Sequence, residues 1–414
     1  VPDVSFVNLL VVVAVAVAAP LAVGYLPWLR VPAVVLEIVG GIIIGPSVLG
    51  WVRVDLPVAI LALFGLAFLL FLAGLEIDVH RLRGRLLRFA VFGYLATLVL
   101  GYGAGVSFTA AGWVSQPLLL AIALSATSLG LVVPVLKDAG QVDSQVGQSA
   151  LAAASIADFA AIVLLSLFFS SSGGSTGSRV VVLGAFAGLV AVTALVVSGT
   201  ARSRQLGRVL VRLQDTTAEI RIRCAVLLLV AFTVLAEKFG LESILGAFLA
   251  GAIVGLVDRD SSSHPRFRTK LEAIGYGFLI PVFFVSSGIR LDLTGLLHNP
   301  SALVRVPVFL LALLAVRGLP ALLGLRTNGP RATLALGLLQ ATSLPFIVTA
   351  TQIGVALGKI TPVTAAALVC AGLLSVLIFP LLALGLLRGG KPEPGPKAAE
   401  TGATAEPVPE PHLM

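Results

Sequence analysis

The sequence predicts an all-α integral membrane protein of about thirteen transmembrane helices built from inverted repeats, and three observations lead there. The chain is 58% hydrophobic and only 12% charged. A soluble domain carries roughly 25% charged residues, so lipid rather than water must cover most of this surface. Apolar runs of roughly 20 residues, each enough to cross a hydrocarbon layer about 30 Å thick, follow one another along the chain. Two of these runs are interrupted in matching places by polar residues and a proline.

Taken in order, the predicted spans lie near 4–26, 31–50, 56–76, 87–110, 116–136, 147–170, 179–200, 221–236, 241–257, 273–289, 301–324, 331–354 and 360–387. The first is too long for the apolar region of a signal peptide and no basic stretch precedes it, so it reads as a span. Only Glu237 to Gly240 separate the eighth from the ninth, where one re-entrant hairpin is the alternative. Residues 389–414 are rich in Pro, Glu, Ala and Gly without an apolar period. Such a composition cannot bury a core and predicts a disordered tail after a single transmembrane domain at 1–388. Cys224 and Cys370 sit inside apolar stretches and fit neither a disulfide framework nor a zinc spacing.

A net charge of +8 in a soluble protein would raise nucleic-acid binding, but here the basic residues occupy short loops between apolar runs. With thirteen spans, 21 of the 28 Lys and Arg fall on one side and six on the other, leaving Arg317 inside the membrane. The richer side is cytoplasmic by the positive-inside rule. The prediction is a multi-pass protein of the cell (inner) membrane, surrounded by lipid, with the N-terminus outside, the tail inside and no nucleic-acid partner.

An ionisable group at the bilayer centre costs about 2.5 to 3.5 kcal/mol by insertion scales, so each one that cannot reach an interface points to function. Asp158 lies mid-span in SALAAASIADFAAIVLLSLFF, and Arg317 lies well inside VFLLALLAVRGLPALLGL. A purely structural ion pair is the competing reading of the two. Glu37 and Glu242 are weaker candidates near span ends, while Glu76 and Asp78 read as interfacial charges paired with Arg81 or Arg83.

The interrupted runs are AIALSATSLGLVVPVLKD, with Ser125, Thr127, Ser128 and Pro134, and ALGLLQATSLPFIVTATQ, with Gln340, Thr342, Ser343 and Pro345. Proline removes a backbone hydrogen bond, and unwound backbone at membrane depth is tolerated where it lines a cavity or is buried in protein. Close packing through small residues with a mild kink is the alternative. ATSL occurs in both, at 126–129 and 341–344, in spans of opposite direction, as an inverted repeat of 87–170 and 301–387 requires.

GGIIIGPSVLG at 40–50, FLAGLEID at 71–78, LGAFLAGAIVGL at 245–256 and PVFFVSSGI at 281–289 resemble the sodium/proton exchanger domain family. The branch they resemble is monovalent cation:proton antiporter-2, which includes the potassium-efflux antiporters. The resemblance implies an antiporter fold, a homodimer, a mobile six-helix core, and two crossed, partly unwound helices framing an aspartate at the position of Asp158. It also implies that Arg317 takes the place of a basic residue that is often lysine. Where the family commonly has a second polar residue, this chain has Ala157. The tail shows neither a strand nor a GxGxxG, so ligand gating of the potassium-efflux type is not expected.

The resulting expectation is exchange of Na+ or K+ for H+ by competition at one carboxylate, with no cofactor and no enzymatic chemistry. Asp158 and Thr127 would hold the cation, aided by Ser125, Ser128 and Ser155, and Arg317 would compensate charge. With one carboxylate and an arginine that cannot deprotonate, the cycle is expected to be electroneutral. Transport of an organic ion or ionophore complex on the same fold, or a membrane sensor without transport, are the rival readings. An intramembrane hydrolase finds no paired aspartates, HExxH or Ser/His arrangement in the spans.

Overall fold

The computed structural model describes residues 5–25, 31–76, 84–138, 140–169, 176–201, 219–257 and 265–388. The tail at 389–414, Asp78, Arg81 and Arg83 lie outside the described residues.

The first half runs through α1 (Val7–Tyr25), α2 (Ala33–Ile44), α3 (Leu56–Leu75), α4 (Gly84–Ala110), α5 (Pro117–Ser125), α6 (Leu129–Asp138), α7 (Gln145–Phe169) and α8 (Thr176–Ala201). Next come α9 (Ile220–Lys238), α10 (Ser243–Val257), α11 (Pro265–Ile274), a π-helical turn (Gly275–Leu279) and α12 (Ile280–Ile289). The chain ends with α13 (Leu293–Leu297), α14 (Pro300–Gly318), a 3-10 extension (Leu319–Gly324), α15 (Leu325–Gln340), α16 (Pro345–Ala356) and α17 (Pro362–Arg388). Among the described residues, eight stretches are long and apolar enough to cross a membrane, and three shorter apolar helices accompany them. Each predicted span falls on a helix or a helix pair. The chain is a multi-pass, all-helical membrane protein.

Start signals are local and conventional. Asp55 caps α3, its carboxylate accepting from the Val58 N–H at 3.2 Å and from Asn8 of α1 at 2.9 Å, with a proline in the first helical turn. Asn299 caps α14 in the same way, accepting from the Ala302 N–H at 3.3 Å.

Two groups of helices form. In one, α2 packs on α12, and α3 packs on α10 and α12. The α3–α10 contact needs glycine: a Cβ on Gly74 would sit 2.0 Å from the Phe248 carbonyl oxygen, and one on Gly251 would sit 1.9 Å from that of Phe71. Small residues of this kind let membrane helices approach backbone to backbone, where lipid supplies no hydrophobic drive for association. In the other group, α4, α7, α14 and α17 surround two interrupted helices, α5/α6 and α15/α16. Both triplets keep the order long helix, interrupted helix, long helix.

Candidate functional site

The site begins with the interruptions. After Ser125 the backbone turns extended, with Ala126 at φ −78° and ψ 155°, and the helix resumes at Leu129. After Gln340 the second helix opens similarly and resumes at Pro345, with Leu344 at φ −141° and ψ −57°. The two openings meet: the Ser128 N–H donates to the Thr342 carbonyl at 2.9 Å, and the Thr127 hydroxyl donates to the Gln340 carbonyl at 2.6 Å. Backbone groups orphaned by each break are thus satisfied by the other, the condition for irregular backbone at membrane depth.

Asp158 comes to this crossing from the middle of α7. Its Oδ1 accepts the Thr127 N–H at 3.2 Å, and the Leu129 N–H at the start of α6 also bonds to the carboxylate. The N-terminal end of a helix, with its unsatisfied N–H groups, favours negative charge. Ala157 beside it is fully buried and brings no polar group.

Arg317, 1% exposed, lies on the far side of Thr127. Its Nε donates to Thr127 Oγ1 at 2.9 Å and to the Gln340 carbonyl at 3.3 Å, Nη1 donates to Thr97 Oγ1 at 3.3 Å, and Nη2 also contacts Thr127 Oγ1. Among the described residues no salt bridge joins Arg317 to Asp158. Thr127 stands between them, giving its N–H to the carboxylate and its oxygen to the guanidinium.

The other sequence candidates are distributed around this centre. Ser128 lines a cavity of about 120 Å³ together with Asp158, Thr127, Pro345, Glu76 and Tyr276. Ser125 turns away, donating to the Ile122 carbonyl at 2.9 Å and meeting Tyr94 Oη at 3.1 Å. Ser155 is buried one turn before Asp158 on α7. Thr342 donates back to the Leu338 carbonyl at 3.1 Å, and the Ser343 N–H donates to Ser375 Oγ at 3.2 Å. Gln340 is buried with its Nε2 lacking a partner among the described residues, and Pro134 lies within α6. Glu37 is buried on α2, and Glu242 precedes α10 with its N–H donating to Ser166 Oγ at 3.1 Å; neither lines the Asp158 cavity.

Three residues escaped the sequence reading. Tyr94 and Thr97 are single polar residues on a long apolar helix, and nothing in their spacing marks them. Glu76 carried a signal, being acidic at the end of an apolar span, but it read as an ordinary interfacial charge. The structure places it in the cavity wall, 3.5 Å from Arg268 Nη2. Among the described residues no three His, Cys, Asp or Glu cluster as a metal site. A monovalent cation here would be cargo, bound by one carboxylate, hydroxyls and carbonyls.

A family model described as sodium/hydrogen exchanger, transmembrane, matches residues 11–384. A Bacillus subtilis (strain 168) protein named as a Na+/H+ antiporter, YjbQ, is 32% identical over 396 residues, covering 91% of this chain and 62% of its own length. The Na+/H+-K+ antiporter GerN of Bacillus cereus is 28% identical over 268 residues, covering 64% of this chain and 67% of its own. Among solved structures, the sodium proton antiporter MjNhaP1 of Methanocaldococcus jannaschii superposes with a TM-score of 0.64 at 20% identity, over 91% of this chain and 97% of that one. At that identity the likeness speaks for the fold.

Proposed function

The chain belongs to the sodium/hydrogen exchanger family, and from that premise we propose that it is a secondary transporter exchanging Na+ or K+ for H+ at Asp158. The observation that carries this reading is the Asp158 carboxylate at the crossing of two interrupted helices, in the wall of a cavity of about 120 Å³ whose other carboxylate, Glu76, is paired with Arg268. A carboxylate in such a place holds either a proton or a cation stripped of part of its water, and not both. Exclusive occupancy, with access switching only when the charge is neutralised, suffices for coupled exchange. Ser128 and Ser155 would add cation ligands, and Thr127 would act through its backbone and by linking the carboxylate to Arg317.

The wider arrangement follows the same proposal. Residues 87–170 and 301–387 act as inverted repeats, a reading supported by the shared order of long, interrupted and long helix in the two triplets. The protein sits in the cell membrane with its N-terminus outside, as the distribution of basic residues supports, and works as a homodimer. Na+ is supported by the names of the relatives, and K+ by the name of GerN.

Reconstitution into vesicles with an imposed pH gradient tests the reading. Dissipation on adding Na+ or K+, absent in Asp158→Asn, is the expected result. Dissipation by an organic ion alone would favour the rival substrate class, and none under any ion would favour the sensor reading.

A further inference from the structure

Away from Asp158, a groove of about 820 Å³ opens between α14 with its 3-10 extension, α15 and α17. Leucines and glycines line most of it, and Leu311, Leu334 and Leu382 on its rim are 64%, 57% and 53% exposed. On a membrane protein such a surface meets lipid. Two further observations specify which part of a lipid lies where.

The first is Thr333, which lines the groove, is 1% exposed, and has a hydroxyl without a hydrogen-bond partner among the described residues. Of the seven buried threonines among the described residues, the other six all have hydroxyl partners. Four of them bond back to the carbonyl four residues earlier, the usual solution inside a helix. Thr333 is denied it because that residue is Gly329, whose φ of 73° and ψ of 167° swing its carbonyl out of the helix ahead of Pro330. A buried hydroxyl left unpaired costs about 1–3 kcal/mol, so the site calls for an external acceptor. The second observation is Arg326, exposed and without an ion-pair partner among the described residues, four residues beyond the lining Leu322.

We propose that this groove is a binding site for an anionic glycerophospholipid. An acyl chain lies along the leucines, an ester carbonyl accepts from Thr333 Oγ1, and the phosphate meets Arg326 at the end of the groove where the polar headgroup layer begins. Gly385 supplies the room, since a Cβ built there meets nothing within 4 Å.

The purified full chain, delipidated in detergent, is titrated with dioleoyl phosphatidylglycerol or dioleoyl phosphatidylcholine and read by native mass spectrometry and by melting temperature. Phosphatidylglycerol is expected to bind about tenfold more tightly than the zwitterionic lipid, and Arg326→Gln to erase that preference, as loss of one charge-assisted hydrogen bond implies. Gly385→Phe should fill the groove without a backbone clash and abolish binding of both lipids. Thr333→Val should raise the melting temperature of the lipid-free protein while weakening phosphatidylglycerol binding several-fold, two opposite effects that a merely structural hydroxyl would not produce. Equal binding of the two lipids, wild-type binding by Gly385→Phe, or unchanged affinity in Thr333→Val would each overturn the assignment.

Discussion

Asp158 and Arg317 meet through Thr127 and not directly: the carboxylate takes the threonine N–H at 3.2 Å, and the guanidinium donates to the threonine hydroxyl at 2.9 Å. A buried charge needs a partner or a set of hydrogen bonds, and here one residue serves both charges at once.

Asp158→Asn is expected to abolish cation-driven collapse of a pH gradient while leaving expression and insertion intact. The isostere keeps its volume and its place beside Thr127 but loses the titratable charge. Wild-type collapse by this variant in vesicles would sink competition at the carboxylate.

Thr127→Val tests the link. Valine keeps the shape and the backbone N–H but removes the acceptor that Arg317 uses and the donor to the Gln340 carbonyl. A cost of about 1–3 kcal/mol is expected, seen as a lower melting temperature in detergent, together with weakened exchange. Thr127→Ser should recover most of both.

Arg317→Ala should lower the melting temperature more than Asp158→Asn, because it leaves a buried carboxylate without its cation. In the double variant the asparagine should restore part of the loss. With Thr127 between the two, the interaction term in that cycle should be of the order of 1 kcal/mol, below that of a direct buried pair. Strictly additive melting shifts would remove Arg317 from the site.

Exchange should be indifferent to membrane potential. On the proposed exchange at Asp158, Ala157 supplies no second carboxylate and arginine does not release its proton, so one cation is expected to replace one proton. Clear currents on solid-supported membranes, or a rate that follows an imposed potential, would contradict this.

Gly251→Ala, outside the lining of the Asp158 cavity, should still impair the protein. The added methyl would lie 1.9 Å from the Phe71 carbonyl oxygen, forcing α3 and α10 apart. Loss of several degrees in melting temperature is the expected reading.

Much of this was legible in the sequence, for identifiable reasons. Asp158 stands out because no other charge lies within ten residues of it on either side, and lipid makes such isolation costly. The interruptions are legible because each contains a run of small polar residues; Pro345 restarts the second helix at its break, while Pro134 lies inside α6, past the first break. Contacts that join distant helices were not legible. Leftover charges suggested that Asp158 and Arg317 belong together, but nothing in the order of residues reveals Thr127 between them or Tyr94 against Ser125. Glu76 reads from the sequence as an interfacial charge paired with a basic residue, and it does pair with Arg268; that it also lines the cavity shows only when α3 is placed beside Tyr276 and Pro345.

The wiring around Thr127 also bears on leakage. Its single hydroxyl proton is committed to the Gln340 carbonyl, and the groups behind it are a guanidinium that does not give up a proton and a threonine that receives one of its N–H bonds. A proton arriving at Asp158 from the cavity therefore finds no hopping wire leading onward through these residues. On the proposed exchange at Asp158, insulation of one side of the membrane from the other rests on the hydrogen-bond directions of a few fixed groups, and passage waits for the carboxylate itself to change the side it faces.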